Sequence, residues 1–190
     1  RVLEAKYKLG LFEDPYRYAN EDRAKQTLMK TEYREAARDI ARKSMVLLKN
    51  EDNALPLKGT GSIALIGPFA KNQRDMIGNW SGAGDWHIAV SVEQGIRSAY
   101  PDLKINYAKG ANVTDDVTMI ERLNAHGGSL EIDTRSTDNM IVEAVEAAKR
   151  SDVIVAVVGE SQGMTGEAAS RADISLPGRQ LDLLKALKQT

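Results

Sequence analysis

Glu160, Glu167, Arg171 and Asp173 are crowded into one polar stretch, Gly159 to Gly178, reading G-E-S-Q-G-M-T-G-E-A-A-S-R-A-D-I-S-L-P-G. Carboxyl groups held on a loop suit general acid–base work, in which one group gives up a proton and later recovers it. The bland alternative is a surface ion pair between Glu167 and Arg171, and these residues by themselves leave both open. Arg171 reads as a loop anchor, through Asp173 or Glu160. Glu160 follows an apolar run directly, where a turn-stabilising carboxylate is common.

A second constellation is G-N-W-S-G-A-G, Gly78 to Gly84. An indole among glycines makes a sugar platform, because its face stacks on the apolar side of a pyranose and glycines allow close approach. The alternative is that Trp80 caps the core beneath a flexible loop. Trp86 reads as surface or packing. Asp85-Trp86-His87 is no triad, since no nucleophile partners it. Gly159, Gly163 and Gly166 have a loosely nucleotide-like spacing. A dinucleotide fingerprint must open a helix at once, however, and here more polar residues and Pro177 intervene. His87 and His126 stand isolated and cysteine is absent, which argues against zinc. The carboxylates Asp115, Asp116, Glu121, Glu131 and Asp133 lack calcium-loop spacing and read as solvated. No cofactor or metal is expected.

The elements that must position these groups follow from periodicity. Val153 to Val158 is an uninterrupted apolar run, predicted to be a strand buried on both faces. Ser62–Gly67 is a second buried strand. Lys104–Ala108, shorter and more polar, is a third, nearer an edge. Helices are expected over Glu32–Leu48 with Thr31 as cap, Val90–Tyr100 with Ser91 as cap, Thr137–Arg150, and Gln180–Lys188 with Leu181, Leu184 and Leu187 in a stripe. Ile141, Ala144, Val145 and Ala148 define the apolar face of the third. Gly110–Arg135 reads as an irregular insertion, with a short helix at Val117–Leu123 and a break at Gly127-Gly128. Arg1–Gly10 is a helical arm, and Tyr16–Lys30 a polar linker. The alternation of strands and helices implies an α/β fold: a parallel sheet with flanking helices, a three-layer α/β sandwich, with an N-terminal helical arm. Three strands look truncated.

A hydrophobic content of 42% supports a globular core, and the net charge of -1 leaves no basic excess to bind nucleic acid or an anionic membrane. No apolar run approaches membrane-spanning length.

The loop from Gly159 to Gly178 resembles the acid/base loop of glycoside hydrolase family 3, in the E-A-A-S-R spelling of its bacterial periplasmic branch. K-Y-K-L-G-L-F-E-D-P-Y resembles the end of that family's barrel domain. A-R-K-S-M-V-L-L-K-N-E-D-N-A-L-P-L resembles the lead-in to its sandwich domain, with Lys49 and Asn50 read as structural. The resemblance implies that residues 1–30 are the end of a barrel domain and its linker, and residues 31–190 a partial α/β sandwich. It implies β-glucosidase activity on a β-glucoside or oligosaccharide, in the periplasm or otherwise exported. It makes Glu167 the general acid/base and sets Trp80 beside the aglycone. Gly166, Ala168 and Ala169 around Glu167 would let it enter a narrow pocket. Retaining hydrolysis needs two carboxyl groups about 5–5.5 Å apart. The nucleophilic aspartate is expected on the barrel domain of the parent chain, so this chain by itself is expected to be inactive.

Overall fold

The computed structural model describes every residue except 83, 126–129 and 168, so His126 and the Gly127-Gly128 break lie outside the described residues. Two compact units divide the chain, Arg1–Pro56 and Leu57–Thr190.

The first unit holds α1 (Val2–Lys8), α2 (Glu21–Thr27), α3 (Thr31–Ser44) and a single 3-10 turn at Glu51–Asn53. The segment expected to be a linker therefore contains a helix, capped by Asn20, whose side chain accepts from the Arg23 amide. Lys30, rather than Thr31, occupies the cap position of α3, without a side-chain cap bond. That helix stops at Ser44, because Met45 turns to extended backbone, four residues short of the expected end at Leu48. No residue of this unit is buried, and Met45, Val46, Leu47 and Leu48 are all exposed. Amphipathic helices draw most of their stability from packing, and none of these side chains is buried.

The second unit is built on three parallel strands, β1 (Ser62–Ile66), β2 (Lys104–Ala108) and β3 (Val153–Ala156), in the order β2-β1-β3. Side chains alternate across the sheet. Ile63 and Leu65 therefore face α4 (Val92–Ala99), through Val92 and Ile96. Ala64 and Ile66 face α6 (Thr137–Lys149) and α7 (Gln180–Leu187), through Ala144, Ala147, Ala148, Leu183 and Leu187. Helices thus cover both faces, which gives three layers. Ser91 and Gln94 form a reciprocal capping box at the start of α4, at 3.2 and 2.8 Å.

Five expectations need correction. β3 is not buried on both faces: Val153 is 41% and Ile154 36% exposed, because the strand forms an edge of the sheet here. On α7 the buried row is Gln180, Leu183 and Leu187, while Leu181 is exposed. In α6 Met140, Ala144, Ala147 and Ala148 are buried, with Ile141 and Val145 only partly so. The stretch expected to be an irregular insertion starts with five buried residues, Gly110 to Thr114, before α5 (Val117–Ala125). Asp133 is not simply solvated either: Arg135 binds it at 2.6 Å and holds its carboxyl down at about 2.

Candidate active site

Because β1 and β3 are parallel neighbours, their carboxyl ends share one rim, and the loops that follow them leave side by side. The crossing is tight. Val157 donates its amide to the Ile66 carbonyl at 2.7 Å, and Gly67, at φ +124°, lies so close that a Cβ there would collide with the Val157 carbonyl. That position requires glycine.

Two further ties join the loops. Asp75, at a 3-10 turn over Asp75–Ile77, accepts from the Ser161 hydroxyl at 2.9 Å and from the Gln162 amide at 2.6 Å. Its second oxygen accepts from Asn72 at 2.7 Å, and its own amide donates back to Asn72 at 2.8 Å. Asn79 donates to the Thr165 carbonyl at 2.6 Å, and the adjoining Gly166, at φ +103°, leaves room for that amide. Trp80 follows Asn79 directly, and Glu167 is two residues beyond Thr165. The ties therefore act next to both groups of interest.

Trp80 and Glu167 line one cavity of about 520 Å³, with Trp86, Arg74 and Arg122 also in its wall. Trp80 is 74% exposed, so it does not cap the core. Trp86, expected to serve only as surface or packing, stacks on the His87 ring with centroids 3.7 Å apart and faces the cavity. Asp85 accepts from the His87 backbone amide and lies 2.8 Å from its ring, and these bonds hold the Asp85 carboxyl below its usual range. This is a local turn.

Glu167 is exposed and makes no hydrogen bond or ion pair with a described residue; its neighbour Ala168 lies outside them. Arg171 instead pairs with Glu160 and donates to the Ser175 carbonyl at 2.9 Å. Asp173 accepts the Ser175 amide at 2.8 Å, which lowers its carboxyl pKa. Glu160, Arg171 and Asp173 thus serve the loop's own shape, while Glu167 is left facing the cavity. The glycine run opens no α-helix: Gln162–Met164 is a 3-10 turn, and α7 begins only at Gln180. Among the described residues Glu167 is the sole carboxylate in the cavity wall. The arrangement offers one carboxyl group beside an exposed indole, Trp80, and a half-buried one, Trp86.

The family model for the glycosyl hydrolase family 3 C-terminal domain matches residues 45–190. The chain belongs to that family. It is 49% identical, over its whole length, to a periplasmic beta-glucosidase of Salmonella typhimurium, of which it covers 25%. It is 37% identical to a beta-xylosidase of Formosa agariphila, of which it covers 24%. The crystal structure of a beta-glucosidase from Listeria innocua in complex with gluconolactone superimposes with a TM-score of 0.75 at 33% identity, over 100% of this chain and 23% of that one. The chain spans about a quarter of the length of these relatives.

Within this family 3 domain, Gln180 and Asp75 tie the site's loops together. The Gln180 side chain is fully buried. It accepts the Gly159 amide at 2.9 Å and donates to the carbonyls of Gly159 at 2.8 Å, and of Val113 and Pro177 at 3.2 Å each. One amide thereby clasps the start of the Glu167 loop, its end, and the stretch after β2. The signal was available: Gln180, Leu183 and Leu187 follow an i, i+3, i+7 row, and a polar residue in a buried row must find partners. Asp75 carried no comparable signal, because its donors lie 86 and 87 residues away.

Proposed function

We propose that this chain is part of a retaining β-glucosidase that removes terminal β-D-glucosyl residues from β-glucosides or oligosaccharides. Residues 1–30 form the end of a barrel domain and its linker, and residues 31–190 part of the sandwich domain. Glu167 is the general acid/base. It donates its proton to the glycosidic oxygen as the bond to the anomeric carbon breaks, and its carboxylate then takes a proton from the incoming water. An aspartate on the barrel domain of the parent chain is the nucleophile, forming the covalent glycosyl intermediate. Trp80 gives the aglycone a flat apolar surface. The periplasm, or another exported location, is the proposed compartment, in keeping with the periplasmic relative.

The observation that carries this reading is the joint lining of one cavity by Glu167 and Trp80, at the carboxyl rim of a parallel sheet. That Glu167 is the cavity's sole described carboxylate supports a nucleophile supplied from outside this chain. The test is Glu167→Gln in the full-length parent. The expected loss is about 10²–10⁴-fold on glucosides with poor leaving groups, and far less on activated aryl glucosides, whose leaving group needs no proton. Azide should restore turnover and yield β-glucosyl azide, because an anionic nucleophile needs no general base. Undiminished hydrolysis of the poor substrates would sink the assignment.

A further inference from the structure

We infer that the cavity beside Glu167 selects aglycones that combine an aromatic ring with a carboxylate, and that Arg74 is the group that reads the charge. The inference rests on the cavity being the leaving-group side of the proposed site.

Arg74 lies in the cavity wall, and its Nε is shut off from solvent with no hydrogen-bond partner. Its guanidinium makes no hydrogen bond or ion pair with a described residue; it stands over the Trp86 ring, 5.9 Å from the centroid. A guanidinium carries five donors in a planar fork, and leaving its buried Nε–H unmatched is unfavourable. Nearby cations are already engaged: Lys71 sits 3.9 Å from the Tyr107 centroid and 3.8 Å from Glu93. Arg74 thus holds its fork in reserve.

A carboxylate fits that fork in two parallel charge-assisted bonds. A neutral sugar hydroxyl gains much less from a cation. The ring preference comes from Trp80, whose exposed indole offers an apolar face in the same cavity. Arg122 adds positive charge to the wall. Glu167 is the one opposing charge among the described wall residues, against the two guanidinium groups of Arg74 and Arg122. Glycosides of hydroxybenzoate type have the ring, the charge and the phenolic oxygen that accepts the acid's proton.

The chain's two tryptophans both line this cavity, so their fluorescence reads its occupancy. The full chain is titrated with 4-hydroxybenzoate and with its neutral counterpart 4-hydroxybenzamide. The expected result is a preference for the carboxylate of about tenfold or more, weakened by salt. The preference should fall to near unity in Arg74→Met and to an intermediate value in Arg74→Lys, which keeps the charge without the fork. Equal affinities in the unmodified chain, or an undiminished preference in Arg74→Met, would overturn the inference. Should Arg74→Met lose its circular dichroism signature, Arg74→Lys decides: an unchanged preference there overturns it too. The outcome is separable from the acid/base assignment, because Glu167→Gln in the parent tests proton transfer while leaving the carboxylate preference in place.

Discussion

β1 and β3 make an instructive pair. Both are short, apolar and parallel, and they are hydrogen-bonded neighbours. Ala64, Leu65 and Ile66 are 0% exposed, whereas Val153 and Ile154 stand open to solvent by 41% and 36%. Composition does not separate them, since β3 is the more continuously apolar of the two. Position does: β1 has a strand on each side and helices on both faces, while β3 has one neighbour among the described residues. An apolar strand states what the residues would tolerate, and only the neighbours decide what they receive.

The sharpest way to break that contrast is to truncate one side chain in each strand. Leu65→Ala should cost about 2–5 kcal/mol in denaturant unfolding of this chain, since it opens a cavity in a packed core. Ile154→Ala should cost under about 1 kcal/mol, because less apolar area is lost and water already reaches the site. Equal penalties would mean that β3 is covered in solution.

A smaller effect is expected where the loops after the two strands are held together. Gln180→Leu keeps the volume but strands the Gly159 amide and three carbonyls, and should cost about 1–3 kcal/mol in the same titration. A neutral result would show that water replaces the clasp.

The smallest expected effect lies at the opposite ends of the strands. Asp152 accepts from the Ser62 hydroxyl and the Ser62 amide, each at 2.8 Å, and these bonds lower its carboxyl pKa. A carboxyl whose folded pKa lies below its unfolded value adds stability above the unfolded pKa, which is about 3.9. That contribution is lost as pH falls through the lower folded value. Asp152→Asn should therefore be less stable than the parent near neutrality, and the gap should close under acid conditions, below about pH 4. A gap independent of pH would assign the role to shape rather than charge.

Much of the framework was legible. β2 has its expected bounds, the expected cap Ser91 closes a capping box, and parallel order followed from the alternation of strands and helices. Those features depend on neighbours within a few residues, or on a period that a single element displays. The ends of α3 and the buried row of α7 are not legible in the sequence, because periodicity identifies a face without saying what covers it. In the candidate site, Glu167 and Trp80 were marked by their loops, while Trp86, Arg74, Asp75 and Gln180 were not. Each of those four acts through a partner remote in sequence or through the cavity itself.

The amino-acid order alone determined the parallel α/β class and marked the two loops proposed to carry chemistry, because the class rests on local periodicity and the loops on their residue types and family resemblance. The tertiary structure decided which loops share a cavity, which carboxylate Arg171 takes, and which apolar strand goes uncovered. Those outcomes turn on contacts between residues far apart in the chain, whose strength depends on distance and burial, and neither exists until the sheet has formed.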